Sequence, residues 1–207
     1  VRAGLVVAEV ALAVMLLVGA GLMIKSFARI QRVDPGFSVD NVLTAQIALP
    51  ATRYADATAR RSFWTRLIEA AGRIPGVTAA GLTSNVPFNG MVGSGSYSIV
   101  GYNPGPDEAV PHARQEIVGG DYFKAMQIPL VGGRVFTDAD GAEAPPVVVV
   151  DEYLVNRYFR DKSPLGQQIR RGGPDSPPFT IVGVVGTINS DDLGQPVEKE
   201  RIYYPVT

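Results

Sequence analysis

The apolar positions of the chain follow two successive patterns. From Ala3 to Ile24 they run almost without a break: 18 of these 22 residues are apolar and Glu9 carries the only charge. A helix of that length spans about 33 Å, enough for a hydrocarbon core of about 30 Å. A secretory leader would have an apolar stretch of about 7–15 residues ahead of a small-residue cleavage site. Here the stretch is longer and Lys25-Ser26-Phe27 follows it, so the pattern predicts a retained transmembrane helix. The chain opens on this span without an initiator methionine, which predicts a piece of a larger protein. Phe27, Ile30 and Val33 repeat at i, i+3 and i+6, extending the helix as a stalk. Asp34-Pro35-Gly36 then ends it, since proline cannot continue a helix and glycine favours a turn.

Beyond the stalk the pattern becomes short and mixed. Leu43, Ala45, Ile47 and Leu49 alternate with Val42, Thr44, Gln46 and Ala48, which predicts a half-buried strand over 42–49. Asp56 is placed to cap a helix running to about Ile74, with Phe63, Trp64, Leu67, Ile68 and Ala71 on one face. Arg60, Arg61, Arg66, Glu69 and Arg73 fall largely on the other, and Pro75-Gly76 closes it. Val77–Leu82 reads as a second strand. Residues 85–111 are rich in glycine and proline, with one strand expected near Tyr97–Val100. A short helix is expected over Asp121–Met126, then Gly132-Gly133-Arg134 and a polar loop to Pro146. Val147–Val150 is wholly apolar, as in a strand covered on both faces. Glu152–Phe159 reads as a helix, and Ile169, Phe179–Val185 and Ile202–Pro205 as closing strands. Gly183 and Gly186, inside an apolar run, suggest a bulge or close packing. The order of elements gives α+β.

Composition adds exclusions. Nineteen Lys+Arg against 20 Asp+Glu give a net charge of −1, which argues against nucleic acid as the main partner, since such binding usually needs a basic face. The chain has no cysteine, which removes disulfides, thiol nucleophiles and Cys-based metal sites. With 23 Gly and 16 Pro, the outer part is expected to be turn-rich. Lys25, Arg29 and Arg32 follow the span and only Arg2 precedes it. Counted alone, they would put the C-terminal side in the cytoplasm, but the positive-inside rule needs both flanks, and charge leaves the orientation open.

Few residues carry candidate chemistry. Glu9 lies inside the span, where a carboxylate either serves a transport pathway or packs near a helix end against a partner helix or Arg2. Gly4, Ala8 and Ala11 share a face suited to close helix approach. His112 is the single histidine, without the partners a triad or zinc site needs. Asp138-Ala139-Asp140-Gly141 resembles the start of a calcium loop, but Glu143 is badly placed to complete it, and a solvated turn is expected. The stretch from Gly90 to Gly95 lacks the Lys-Ser/Thr of a phosphate loop. Asp191-Asp192 reads as a polar turn, and the arginines of 60–73 as a solvated helix face with an anionic partner as the alternative. Neither catalytic, cofactor-binding nor metal-binding residues are expected.

The stretch LVVAEVALAVMLLVGAGLMIKSFARIQRVDPGF at 5–37 resembles the first membrane helix of a permease in the MacB/FtsX-like ABC transporter family, most closely the duplicated permeases of acidobacteria. RIPGVTAAGLTSNVPF at 73–88, GGDYFKAMQIPLVGGRVFTDAD at 119–140, SPLGQQI at 163–169, FTIVGVVG at 179–186 and IYYP at 202–205 continue the resemblance in order. It implies a bacterial inner-membrane protein whose residues 1–33 form the transmembrane helix and stalk. Residues 34–207 would form a periplasmic core domain, with a porter-like α/β lobe split between about 38–88 and 146–207 and a β-rich lobe inserted at about 89–145. It further implies a non-catalytic permease subunit without cofactors, served by an ABC ATPase on a separate protein or domain. A dimer partner or second permease half is implied, with a periplasmic partner or exported substrate. The family orientation runs from cytoplasm to periplasm, against the naive charge count. The rival readings are the sensor domain of a membrane-anchored receptor and an anchored enzyme; the latter lacks a titratable constellation.

Overall fold

The computed structural model describes residues 2–90, 93–105, 108–173 and 175–206. The apolar span and most of the stalk form one helix, α1 (Arg2–Ile30), which buries none of its residues against the rest of the chain. It is the one described helix long and apolar enough to cross a membrane. Turn bonds carry the backbone to Val33, and the Gly36 N–H then donates to the Asp34 carboxylate at 2.8 Å. The stop therefore falls at the Asp34-Pro35-Gly36 signal.

The outer part contains α2 (Ala57–Gly72), β1 (Gly81–Thr83), β2 (Ser94–Ile99), β3 (His112–Gly120), α3 (Tyr122–Ala125) and β4 (Leu130–Gly133). After these come β5 (Val147–Asp151), α4 (Glu152–Tyr158), β6 (Gln168–Arg171), β7 (Pro178–Val185) and β8 (Arg201–Pro205). Asp56 caps α2 as its position predicts, accepting from the Ala59 N–H at 3.2 Å. Pairing proceeds β3–β2–β6–β7–β5–β8 and returns from β8 to β3, so six strands close on themselves. Closure leaves these strands without a free edge over the paired stretch. Along the far end, β1 continues beside β3 and β4 beside β7.

Two apolar layers follow from the alternation along β5 and β8. Val148, Val150, Ile202 and Tyr204 face one side, with Tyr97, Ile99, Ala113, Ile169, Ile181, Leu154 and Phe159. All six ring strands contribute to this cluster, and Leu154 of α4 and Phe159, at the end of that helix, complete it. Val149 and Tyr203 face the opposite side, into a layer with Phe37, Val118, Tyr122, Phe123, Met126, Val185 and Ile188. Strand β5 is thus buried on both faces, as its unbroken valine run predicts. Gly183 sits beside a bulge: Val148 pairs with Ile181 but Val149 with Gly183, leaving Val182 as the extra residue. A Cβ at Gly183 would run into the Arg134 carbonyl, which is the close packing its place in the strand suggests.

Three expectations change. Residues 42–49 have no ladder partner among the described residues, and Leu43 is 97% exposed. The alternation is present, but a strand forms only where its N–H and C=O groups find partners. Strand β1 begins at Gly81 rather than Val77. Strands β3 and β4 were hidden by composition, the first polar and the second glycine-rich. Strand β3 carries Arg114, Gln115 and Glu116 in its middle, and His112 lies at its start, paired with Ser96.

Candidate functional site

The residues that stop α1 are themselves packed into the outer domain. The Pro35 carbonyl accepts the Asn189 N–H at 2.8 Å, and the Ser38 N–H donates to the Met126 carbonyl at 2.9 Å. Gly36 adopts φ +80°, and a Cβ there would collide with the Thr187 carbonyl. Only glycine suits both the left-handed backbone and the contact. Phe37 is buried in the outer layer and its ring lies 6.0 Å from that of Phe88. The exit of α1 is therefore clamped between the β7–β8 connection and the loop after β1, not onto residues 42–49.

Those two loops also border a group of charges. Arg201 is buried, pairs with Glu116, and donates through Nη2 to Ser190 Oγ at 2.5 Å. Arg114, beside Glu116 on β3, pairs with Asp191. Glu200, next to Arg201, is buried and takes Arg157 at 2.8 Å. The main chain ties these together: the Arg114 N–H donates to the Glu200 carbonyl at 2.8 Å, and the Phe88 N–H to the Ser190 carbonyl at 2.9 Å. Burial raises the pKa of Glu116, against the pull of Arg201 and of the Tyr122 hydroxyl. A buried ion pair of this kind adds little net stability, because desolvation of both charges offsets their attraction. Two adjoining cavities of about 260 and 240 Å³ flank the Arg114–Asp191 pair, one under residues 188–199 and one under 85–90.

The residues singled out in the sequence fall elsewhere, except one pair. Asp191 belongs to this cleft, and Asp192 accepts the Gly194 N–H at 2.7 Å within the same loop. Asp140 is not a solvated turn residue: it is buried and binds both terminal nitrogens of Arg134, at 2.6 and 2.8 Å. That guanidinium, with the Thr137 N–H, holds the Asp140 carboxyl down at about 2, and no calcium loop forms. Among the described residues no three His, Asp or Glu side chains gather as a metal site. His112 is exposed on β3. Met91 and Val92, in the glycine stretch, lie outside the described residues. Arg60 does not face solvent alone, donating to the Tyr54 and Ala55 carbonyls at 3.0 and 2.8 Å. Glu9 stands exposed on α1. Sequence reasoning missed Arg114, Glu116, Arg157, Glu200 and Arg201. Charges inside a strand beside apolar neighbours were the available signal.

The class is that of an apolar helix, long enough to cross a membrane, leading into a mixed α/β domain with a cleft at their junction. The sequence model of the MacB-like periplasmic core domain matches residues 3–207. The chain belongs to this family, and is accordingly the MacB-like periplasmic domain of an ABC transporter permease. The macrolide export ATP-binding/permease protein MacB of Neisseria gonorrhoeae is 36% identical over 70 residues, and that of Neisseria meningitidis serogroup B is equally similar. The matched stretch is 33% of this chain and only 10% of those relatives. Among solved structures, the periplasmic region of MacB from Actinobacillus actinomycetemcomitans is 22% identical with a TM-score of 0.41, over 67% of this chain and 54% of that one. The extracellular domain of the noncanonic ABC-type transporter YknZ from Gram-positive bacteria is 19% identical with a TM-score of 0.44, over 74% and 68%.

Proposed function

We propose that the chain is the part of a permease that turns movement of its membrane helix into a change of the outer domain, in support of export or contact with a periplasmic partner. The observation that supports this is the clamp at Asp34–Phe37. A helix continuous to Ile30 and a turn bonded to Asn189 leave little slack between bilayer and domain. In this reading α1 crosses the bacterial inner membrane, residues after about 34 lie outside the cytoplasm, and an ATPase on another chain or domain drives the motion. The working division places the anchor at 1–33 and the outer domain at 34–207, with porter-like parts at about 38–88 and 146–207 and an inserted lobe at about 89–145. A second permease half or a second copy completes the assembly.

The test is a flexible Gly-Ser insertion between Val33 and Asp34 in the intact transporter, since such linkers behave as random coil. Expression, ATP hydrolysis and outer-domain folding are expected to persist while transport or partner response is lost. Wild-type transport through that insertion would remove α1 as the coupling element. Glu9 is assigned to packing near a helix end. Glu9→Gln should therefore disturb assembly or stability, measured by solubilised complex yield and melting. Selective loss of transport with normal assembly and ATPase rate would put Glu9 on the pathway instead.

A further inference from the structure

The Arg114–Asp191 pair sits at the mouth of the cleft, its side chains 18% and 35% exposed, where solvent or another carboxylate can compete. Asp191 is delivered by a loop that holds its own shape. The Asn189 side chain donates to the Asp192 and Gln195 carbonyls at 2.8 and 3.0 Å, and the Gly194 N–H to Asp192 Oδ1 at 2.7 Å. Across the cleft this loop is held by the Asp191 carboxylate on Arg114, Ser190 Oγ on Arg201, and the Ser190 carbonyl on the Phe88 N–H. They amount to one acidic residue and its predecessor held by two guanidinium groups and one main-chain donor. Were the loop to swing out, Arg114, one arm of Arg201 and the Phe88 N–H would be left as a row of donors. Glu116 would still hold the other arm of Arg201 in place. Asp192 departs with the loop, while the exposed Glu198 and Lys199, which offset one another, both line the rim. Phe88 and Val86, 46% and 37% exposed, give one wall an apolar lip.

We propose that this cleft binds an extended acidic segment of an extracytoplasmic partner protein, and that Ser190-Asp191 is the chain's own stand-in for it. The proposal rests on the reading of the domain as a partner-binding outer domain, and names the chemistry of that partner. The internal segment lowers apparent affinity by the fraction of molecules in which it is docked, so removing its carboxylate should tighten binding. Because Asn189 also holds Pro35, an occupied cleft would act on the loop that clamps the exit of α1.

The experiment is fluorescence anisotropy on the 207-residue chain in detergent, with a labelled peptide Asn-Ser-Asp-Asp-Leu and a control in which both Asp are Asn. Saturable binding of the acidic peptide is expected. It should be at least tenfold tighter in Asp191→Asn and at least tenfold weaker in Arg114→Gln, with the control peptide silent. Arg114→Lys keeps the charge but not the two-armed fork and should weaken binding less than Arg114→Gln. Hydrogen exchange across β3 checks that each variant is folded. Equal binding of the neutral peptide, no gain in Asp191→Asn, or competition by acetate at matched concentration would overturn the proposal, the last leaving a small-anion site only. Failure here would leave the clamp intact as a coupling device, and the Gly-Ser insertion variant should still bind the peptide.

Discussion

Asp151 and Asp140 show how little residue type says about charge until the surroundings are known. Asp151 is 1% exposed and caps α4, accepting the Leu154 N–H at 3.0 Å. Burial pushes its carboxyl up to about 7, although the Leu154 and Arg201 backbone N–H groups favour the ionised form. With an unfolded value of about 4, the folded state holds the proton more tightly. Its contribution is fully present below about pH 4 and is lost as pH rises through 7. Asp151→Asn keeps the cap acceptor and removes the titration. Its melting temperature relative to the wild type should therefore rise from pH 5 to pH 8, and a flat difference would contradict the assignment. At Gly36 the constraint is steric. Gly36→Ala places a Cβ at φ +80° against the Thr187 carbonyl and should cost roughly 1–3 kcal/mol, read as an earlier urea midpoint.

Elements were legible where local signals and burial agreed. Asp56, the apolar stripe and Pro75-Gly76 bounded α2 closely, and the valine run of β5 announced burial on both faces. The same reasoning failed at 42–49 because alternation describes what a strand could bury, not whether a partner lies alongside. It failed at β3 because Arg114 and Glu116 are neutralised by Asp191 and Arg201, residues 77 and 85 positions away in the chain. The cleft was illegible for the same reason, being built from pairs that only the closed ring of strands brings together. Helix α2 has no buried residue, so local opening should be easier there than in the sheet. Its amides should exchange faster than those of β5 and β8. Asp56→Ala, which removes the cap, should cost α2 about 1 kcal/mol and accelerate its exchange alone.

At the scale of the whole molecule the question is where the outer domain begins. The resemblance put the boundary at 34, while the strand and helix patterns of the outer part begin only near 38. The packing favours the earlier of these two starts. Phe37 is 8% exposed within the outer layer, and Pro35 supplies the carbonyl that closes on Asn189. Among the described residues before Asp34, by contrast, none is fully buried: α1 has no buried residue, and Val33 is 37% exposed. A soluble chain starting at Asp34 is therefore expected to fold cooperatively without the anchor. One starting at Ser38 should fold too, but without the Phe37 side chain, whose burial is worth about 2 kcal/mol. For a domain of this size that lowers Tm by roughly 4–8 °C. Phe37→Ala in the longer chain should reproduce most of that loss, which separates the side chain's role from that of the Pro35 carbonyl. Both chains would be followed by circular dichroism and limited proteolysis. Equal stability would mean that the turn merely rests on the domain, and the clamp would then be too weak to carry movement from the membrane helix to the cleft.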